Sequence, residues 1–213
     1  MVTPSLSELI GRTPVIPVLE LEAAEEAVPL ARALHAGGLS VLELSLRSAV
    51  TLLVLESLRR ELPQVCIGVG PLIRAVDFAA AGRAGAHFGV TAGLTSELAA
   101  AARGARFPVM PGVMTPSEVI AARQAGFAML ALFPAEAAGG VALAHALGRA
   151  FPDVALCPHG SLDAARASEY LALANVPCVA GEWIAPPKEV RTGDWSGLEQ
   201  RAHAAAVLGR AAS

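Results

Sequence analysis

The chain has 213 residues, of which 54% are apolar, 16% charged and only 4% aromatic. This balance excludes a disordered chain and predicts a single folded domain, spanning residues 1–213, with a large aliphatic core. A formal net charge of −3, without basic stretches interleaved with aromatic residues, argues against nucleic acid as a partner. Among the 16 basic residues, only Lys188 is a lysine.

The apolar stretches are too short to cross a bilayer, because Gly, Pro or charged residues interrupt them. Residues 1–9 lack a secretory pattern, so we expect a cytoplasmic protein with no membrane partner. Cys66, Cys157 and Cys178 each lie in an apolar run, which predicts buried thiols rather than a disulfide or a metal site.

Short aliphatic runs alternate along the chain with Ala- and Leu-rich stretches of helical spacing. Eight such runs cover residues 15–19, 39–46, 65–70, 87–91, 107–111, 128–133, 154–158 and 177–183. Capping signals at Thr95, Thr115 and the segment 161–163 mark helix starts between them. A short helix is expected before the first strand and another at the C-terminal end.

Strands that are apolar on both faces and alternate with helices predict an α/β fold of the (β/α)₈ (TIM) barrel type. An open doubly wound sheet is the second choice. It is disfavoured because the turn at Gly68-Val69-Gly70-Pro71 lacks the third glycine of a dinucleotide-binding loop. No motif for a nucleotide, flavin, pyridoxal or metal cofactor is present, so we expect a small-molecule substrate and no cofactor.

The carboxyl ends of the strands are where a barrel places its chemistry. Glu43, Ser45 and Arg47 end the second run and share one side of it. In a purely structural role, these side chains pair with each other or with a neighbouring strand and close the end of the barrel. The alternative is that they bind or convert a substrate. In the functional interpretation Glu43 handles protons beside Arg47, which binds an anionic group.

The last two runs end in a histidine and an acid. His159 follows the seventh strand, and Glu182 with Trp183 ends the eighth. Because these strands are neighbours, we predict that Glu182 orients His159 as a general base. The alternative is an ion pair that tethers two loops, and Trp183 is either a packing residue or a substrate platform. No two of the remaining histidines have metal-ligand spacing, so no metal site is predicted.

Several segments, taken in order over nearly the whole chain, resemble the 2-keto-3-deoxy-6-phosphogluconate (KDPG) and 4-hydroxy-2-oxoglutarate aldolases. They are VLELSLRS at 41–48, IGVG at 67–70, PGVMTPSE at 111–118, LFPAE at 132–136, the Cys-Pro-x-Gly at 157–160 and Gly-Asp-Trp at 193–195. The resemblance implies a (β/α)₈ barrel, a homotrimer, and metal-free chemistry on 2-keto acids through a Schiff base with pyruvate. It also implies that Glu43 handles protons and that Arg47 binds a carboxylate.

Other positions depart from the family pattern. Ala131 stands where the resemblance implies the Schiff-base lysine, and an alanine methyl cannot form an imine. Pro71 replaces a pyruvate-contacting threonine. The phosphate-binding turns read His159-Gly160-Ser161 and 180–183, where Glu182 would repel a phosphate. The pocket therefore looks refitted, by divergence or by engineering, and native aldolase activity is expected to be absent or very weak.

Three hypotheses remain open. The first is an enzyme that uses the refitted pocket for proton abstraction or hydrolysis on a small apolar substrate. The second is an inactive aldolase scaffold within a homotrimer or a larger assembly, and the third, ranked last, is an active 2-keto acid aldolase. The predicted catalytic residues are His159, Glu182 and Glu43; the predicted substrate-binding residues are Arg47, Ser45, Pro71, Thr91, Ala131, Phe133, Gly160, Ser161 and Trp183.

Overall fold

A computed structural model describes residues 5–11, 13–48 and 50–208. Within these ranges parallel strands alternate with helices. The strands are β1 Val15–Leu19, β2 Val41–Ser45, β3 Cys66–Leu72, β4 Phe88–Thr91, β5 Val109–Met110, β6 Gly112–Val113, β7 Met129–Leu132, β8 Ala155–Pro158 and β9 Val179–Gly181. The helices are α1 Leu6–Ile10, α2 Ala27–Ala36, α3 Thr51–Glu61, α4 Ala75–Ala84, α5 Ser96–Gly104, α6 Pro116–Gln124, α7 Ala135–Ala138, α8 Gly140–Ala150, α9 Ala164–Leu171, α10 Pro187–Thr192 and α11 Trp195–Ala206. Short 3-10 turns cover Ala24–Glu26 and Glu182–Ile184.

The predicted helix starts are confirmed by side-chain caps. The hydroxyl of Thr95 accepts from the backbone of α5, and the Asp163 carboxylate does the same for α9. Thr115 and Glu118 form a reciprocal capping box at the start of α6. These caps satisfy N–H groups that the first helical turn leaves without partners, so each of these three helices begins at the residue after its cap.

Two parallel sheets carry the strand pairing. One has the order β5-β4-β3-β2-β1-β9 and the other the order β6-β7-β8. A single parallel bridge between His159 and Ala180 joins β8 to β9. Side chains of the strands β1, β2, β4, β5, β7, β8 and β9 meet in one apolar cluster with Leu6 and Ile10 of α1, so the sheet is curled around a shared interior. A larger cluster packs the other face of the strands against the helices.

The fifth predicted strand, 107–111, is interrupted rather than continuous. Val109 and Met110 pair with β4, whereas Gly112 and Val113 pair with β7. Pro111 stands between the two pairs and has no N–H to donate to a strand ladder, so the chain changes partners at this residue.

The eighth predicted strand, 177–183, is also too long. Regular strand pairing ends at Gly181, and Glu182 and Trp183 belong to the following 3-10 turn. A Cβ on Gly181 would overlap the ring of Trp183, so the tryptophan folds back over the strand end. Within the described ranges, no helix is both long and apolar enough to cross a membrane.

Candidate active site

A cavity of about 640 Å³, counted out to its open mouth, lies at the carboxyl ends of the strands. The predicted site residues that line it are Glu43, Ser45, Arg47, Pro71, Thr91, Ala131, Phe133, His159, Gly160 and Glu182. They come from loops and strand ends that are far apart in sequence. The parallel sheet brings them together because its carboxyl ends all point the same way.

A buried ion pair between Glu43 and His159 lies inside this cavity. Nε2 of His159 is 3.1 Å from Oε2 of Glu43, and the two side chains are 8% and 5% exposed. Strand β2 holds Glu43, and His159 follows β8 on another side of the curled sheet. The structure thus gives His159 a carboxylate partner different from the predicted Glu182.

The protonation of this pair follows from its hydrogen bonds. Nδ1 of His159 is 2.9 Å from the carbonyl oxygen of Cys157, which can only accept, so Nδ1 carries a hydrogen. Nε2 then faces the carboxylate oxygen of Glu43, and two lone pairs at this separation would repel each other. One proton must therefore lie between the two groups, as an imidazolium beside a carboxylate or as a neutral pair.

The charges of the pair support the ionic form. Burial alone lowers the pKa of His159, but the hydrogen bond from its ring to Glu43 and the negative charge of Glu43 outweigh this effect. The pKa of His159 is therefore raised above its ordinary value. In the ionic form the imidazole already carries a hydrogen on both nitrogens, so His159 is not the free general base predicted from the sequence.

The second oxygen of Glu43 is directed to the cavity. Within the described part of the chain, no group donates a hydrogen bond to Oε1. Gly70 approaches this oxygen so closely that a Cβ at Gly70 would overlap it, and both residues line the cavity. Glu43 thus has one oxygen held by His159 and one oxygen available to a ligand.

Arg47 lies at the rim of the cavity between two carboxylates. Its Nη2 is 2.9 Å from Oε2 of Glu20 and 2.9 Å from Oε1 of Glu182, and its Nε donates to Ser45 at 3.2 Å. The side chains of Arg47, Glu20 and Glu182 are 56%, 47% and 59% exposed. The predicted contact between His159 and Glu182 is therefore wrong: Glu182 leaves the strand at the 3-10 turn and binds Arg47.

Thr91 and Ser45 have largely structural hydrogen bonds. The Thr91 hydroxyl donates to the carbonyl of Gly93 and accepts from the amide of Gly112, so it joins β4 to the chain just after Pro111. Ser45 is buried and accepts from Arg47. Both residues line the cavity, but their hydroxyls are already bound to protein groups.

Ala131 and Phe133 supply apolar surface to the cavity. Ala131 on β7 is fully buried beside Cys157 of β8, and Phe133 is 40% exposed at the end of the same strand. Lys188, the only lysine in the sequence, lies on the exposed side of α10 and does not line the cavity. No lysine nitrogen therefore lies among the lining residues.

Two predicted substrate-binding residues lie outside the lining. Ser161 is exposed with a φ of 55°, and Trp183 is half-buried against the core. Sequence reasoning missed the lining residues Val18, Gly70, Val90, Ala92 and Gly181, and it missed Glu20 as the second partner of Arg47. The alternation of strand residues could have identified Val90, because Val90 and Phe88 share one side of β4.

The remaining titratable groups of the described residues form no metal site. In the described ranges, no group of three or more His, Cys, Asp or Glu side chains is arranged to hold a metal ion. The sulfurs of Cys157 and Cys178 are 3.5 Å apart and buried as free thiols. Burial raises the pKa of Cys157 and raises that of Cys66 to about 11, so the thiolate form of both is disfavoured near neutral pH.

Comparisons with known proteins cover nearly the whole chain. A family model described as KDPG and KHG aldolase matches residues 6–201. The 2-dehydro-3-deoxy-phosphogluconate aldolase of Pseudoalteromonas atlantica is 39% identical, over 93% of this chain and 92% of that protein. The KHG/KDPG aldolase of Escherichia coli is 35% identical, over 94% of each.

A solved structure matches a similar share of the chain at a similar sequence identity. The KDPG aldolase of Legionella pneumophila, with pyruvate captured as a covalent carbinolamine intermediate, superposes with a TM-score of 0.91. It is 38% identical, over 93% of this chain and 96% of that chain. Sequence and fold therefore agree, and the chain belongs to the KDPG and KHG aldolase family.

Proposed function

We propose that this member of the aldolase family moves a proton at the carbon next to the carbonyl group of a small substrate. Glu43 is the base, and no imine with a lysine is formed. The observation that carries the proposal is the buried pair of Glu43 and His159, with one carboxylate oxygen open to the cavity.

The proton transfer uses groups that already face the cavity. Oε1 of Glu43 takes the proton from the carbon, and the electron pair of the broken C–H bond moves towards the carbonyl oxygen to give an enolate. Arg47 lines the cavity, and Nη1 of Arg47 has no acceptor among the described residues, so it can donate to the enolate oxygen. His159 remains protonated and keeps Oε2 of Glu43 in place.

The absence of a lysine from the lining separates this proposal from the chemistry of the relatives. The pyruvate of the Legionella pneumophila aldolase is held as a carbinolamine, which is an adduct of an amine with a carbonyl group. Here the resemblance places the family's lysine position at Ala131, and Lys188 is exposed on α10. Catalysis then depends on proton transfer by a positioned carboxylate, an effect of roughly 10²- to 10⁴-fold in rate.

Hydrogen–deuterium exchange tests this proposal. Methyl ketones are incubated with the protein in D₂O, and loss of their methyl protons is followed by ¹H NMR against a protein-free sample. We expect exchange above background, a fall of about 100-fold or more in Glu43→Gln, and no change in Lys188→Ala. Exchange at the background rate, or full exchange in Glu43→Gln, would overturn the proposal.

Borohydride reduction is the complementary test. Treatment in the presence of pyruvate should leave no adduct inside the cavity. Because Lys188 is the only lysine, an adduct on Lys188, combined with loss of proton exchange in Lys188→Ala, would instead restore the active-aldolase hypothesis.

A non-catalytic scaffold within an assembly is the second candidate, and the exposure of aliphatic side chains favours assembly. Leu53, Ile73 and Val76 are 64%, 60% and 65% exposed, a large exposure for aliphatic side chains. We infer that such side chains are covered in a homotrimer, as the family resemblance implies. We also infer that the two sheets belong to one (β/α)₈ barrel and that the protein is cytoplasmic. Light scattering measures the assembly: a trimer mass is expected, and a larger mass without proton exchange would favour the scaffold.

A further inference from the structure

Arg47 cannot bind a carboxylate with two parallel hydrogen bonds in this structure. A guanidinium can bind a carboxylate in this way through two pairs of N–H groups, Nη1 with Nη2 or Nε with Nη2. Both pairs include Nη2. Both hydrogens of Nη2 are already donated, one to Glu20 and one to Glu182, while Nε donates to Ser45. An incoming carboxylate would have to displace one of these acceptors.

The charge of the rim also opposes an anion. One guanidinium charge faces two carboxylate charges, so Arg47 with Glu20 and Glu182 carries a net negative charge. The buried pair of Glu43 and His159 adds no net charge, because it shares one proton. A bound anion would therefore lie close to uncompensated negative charge, whereas an uncharged carbonyl needs only a single donor.

We infer that Glu182, together with Glu20, makes this cavity select an uncharged carbonyl compound over a carboxylate- or phosphate-bearing one. The inference rests on the proposed proton transfer for its catalytic readout, but it concerns a different part of the site. Nη1 of Arg47 remains for a single hydrogen bond to a carbonyl oxygen. Glu182 is thus a specificity-determining residue that acts by occupying and neutralising Arg47.

Two three-carbon methyl ketones provide a matched test. Hydroxyacetone is uncharged, whereas pyruvate carries a carboxylate, and the methyl protons of both exchange by the same chemistry. We expect kcat/KM of the wild-type protein for exchange to be higher with hydroxyacetone than with pyruvate. In Glu182→Gln the pyruvate-to-hydroxyacetone ratio of kcat/KM should rise about 5-fold or more, as expected for removing one unit charge about 4 Å from the ligand in a water-like dielectric.

Glu22→Gln is the control for a change in net charge. Glu22 forms an exposed ion pair with Arg191 at 2.9 Å and does not line the cavity. The same loss of one negative charge should therefore leave the ratio unchanged. A wild-type preference for pyruvate, or an equal rise in Glu22→Gln and Glu182→Gln, would overturn the inference.

Binding of pyruvate separates this inference from the proposed reaction. Titration calorimetry needs no turnover, and we expect pyruvate to bind about 5-fold or more tightly to Glu182→Gln than to the wild-type protein. Absence of exchange with both ketones would refute the proton transfer but leave this measurement intact. Equal affinity of the two proteins for pyruvate would refute the selection by charge.

Discussion

Gly70 offers a way to displace the carboxylate of Glu43 without changing any titratable group. In Gly70→Ala the new Cβ would overlap Oε1 of Glu43 and would also lie 3.1 Å from the Cβ of Val90. Strand β3 is extended at Gly70 and its φ is not positive, so alanine itself fits the backbone. The added methyl therefore acts mainly on the side chain that it meets.

The size of the effect follows from the geometry. The carboxylate of Glu43 must move by about 1 Å to regain ordinary van der Waals contact. Its other oxygen is only 3.1 Å from Nε2 of His159, near the upper end of the normal range, so this hydrogen bond weakens as well. A misplacement of about 1 Å can cost roughly 100-fold in rate, or about 2.7 kcal/mol of activation free energy.

The assay is proton exchange from hydroxyacetone, measured together with thermal unfolding. We expect kcat/KM of Gly70→Ala to fall about 100-fold while the protein still unfolds cooperatively. Gly93→Ala is the matched control, because a Cβ at Gly93 meets no atom of the described residues within 4 Å. Wild-type exchange in a folded Gly70→Ala protein would refute the argument that the position of Glu43 controls the reaction.

Three further predictions concern stability. The pKa of His159 is raised by its pairing with Glu43, so this pair stabilises the folded protein fully below about pH 6.5. The stabilisation of the fold is lost as the pH rises through the raised pKa of His159. The difference in unfolding free energy between wild type and His159→Gln should thus shrink above that pH in urea denaturation, and a constant difference would contradict the pairing. Thr91→Val should lower the unfolding free energy by about 1–3 kcal/mol, since it leaves a buried backbone amide without its acceptor; an unchanged urea midpoint would argue against this role. Tyr170→Phe keeps the buried ring but loses the hydrogen bond to Glu136, so we expect a loss of about 1 kcal/mol in the same assay, and a more stable variant would be inconsistent with it.

The strands and helix starts were predictable because their causes are local. Aliphatic runs mark strands buried on both faces, and Thr95 and Thr115 cap the helices that follow them. The break at Pro111 was visible as a residue without an N–H. Its consequence, a change of pairing partner from β4 to β7, depends on how the sheet curls and could not be derived from the run itself.

The partner of His159 was predicted wrongly because neighbouring strands are not the only route to a contact. The adjacency of the last two strands predicts a contact between Glu182 and His159, but the chain turns away after Gly181. Glu43 instead reaches His159 through the interior of the curled sheet. A signal for this contact existed, because a carboxylate in the fully buried strand β2 needs a partner that can share its charge.

The exposed position of Lys188 on α10 determines where any lysine chemistry of this protein takes place. Since no other side-chain amine exists in the sequence, a carbonyl compound that condenses with a lysine can do so only on the surface of that helix. Detection of a trapped adduct is therefore uninformative until the modified residue is assigned by peptide mapping. The same residue offers a single lysine, outside the cavity lining, for attaching a label or a solid support.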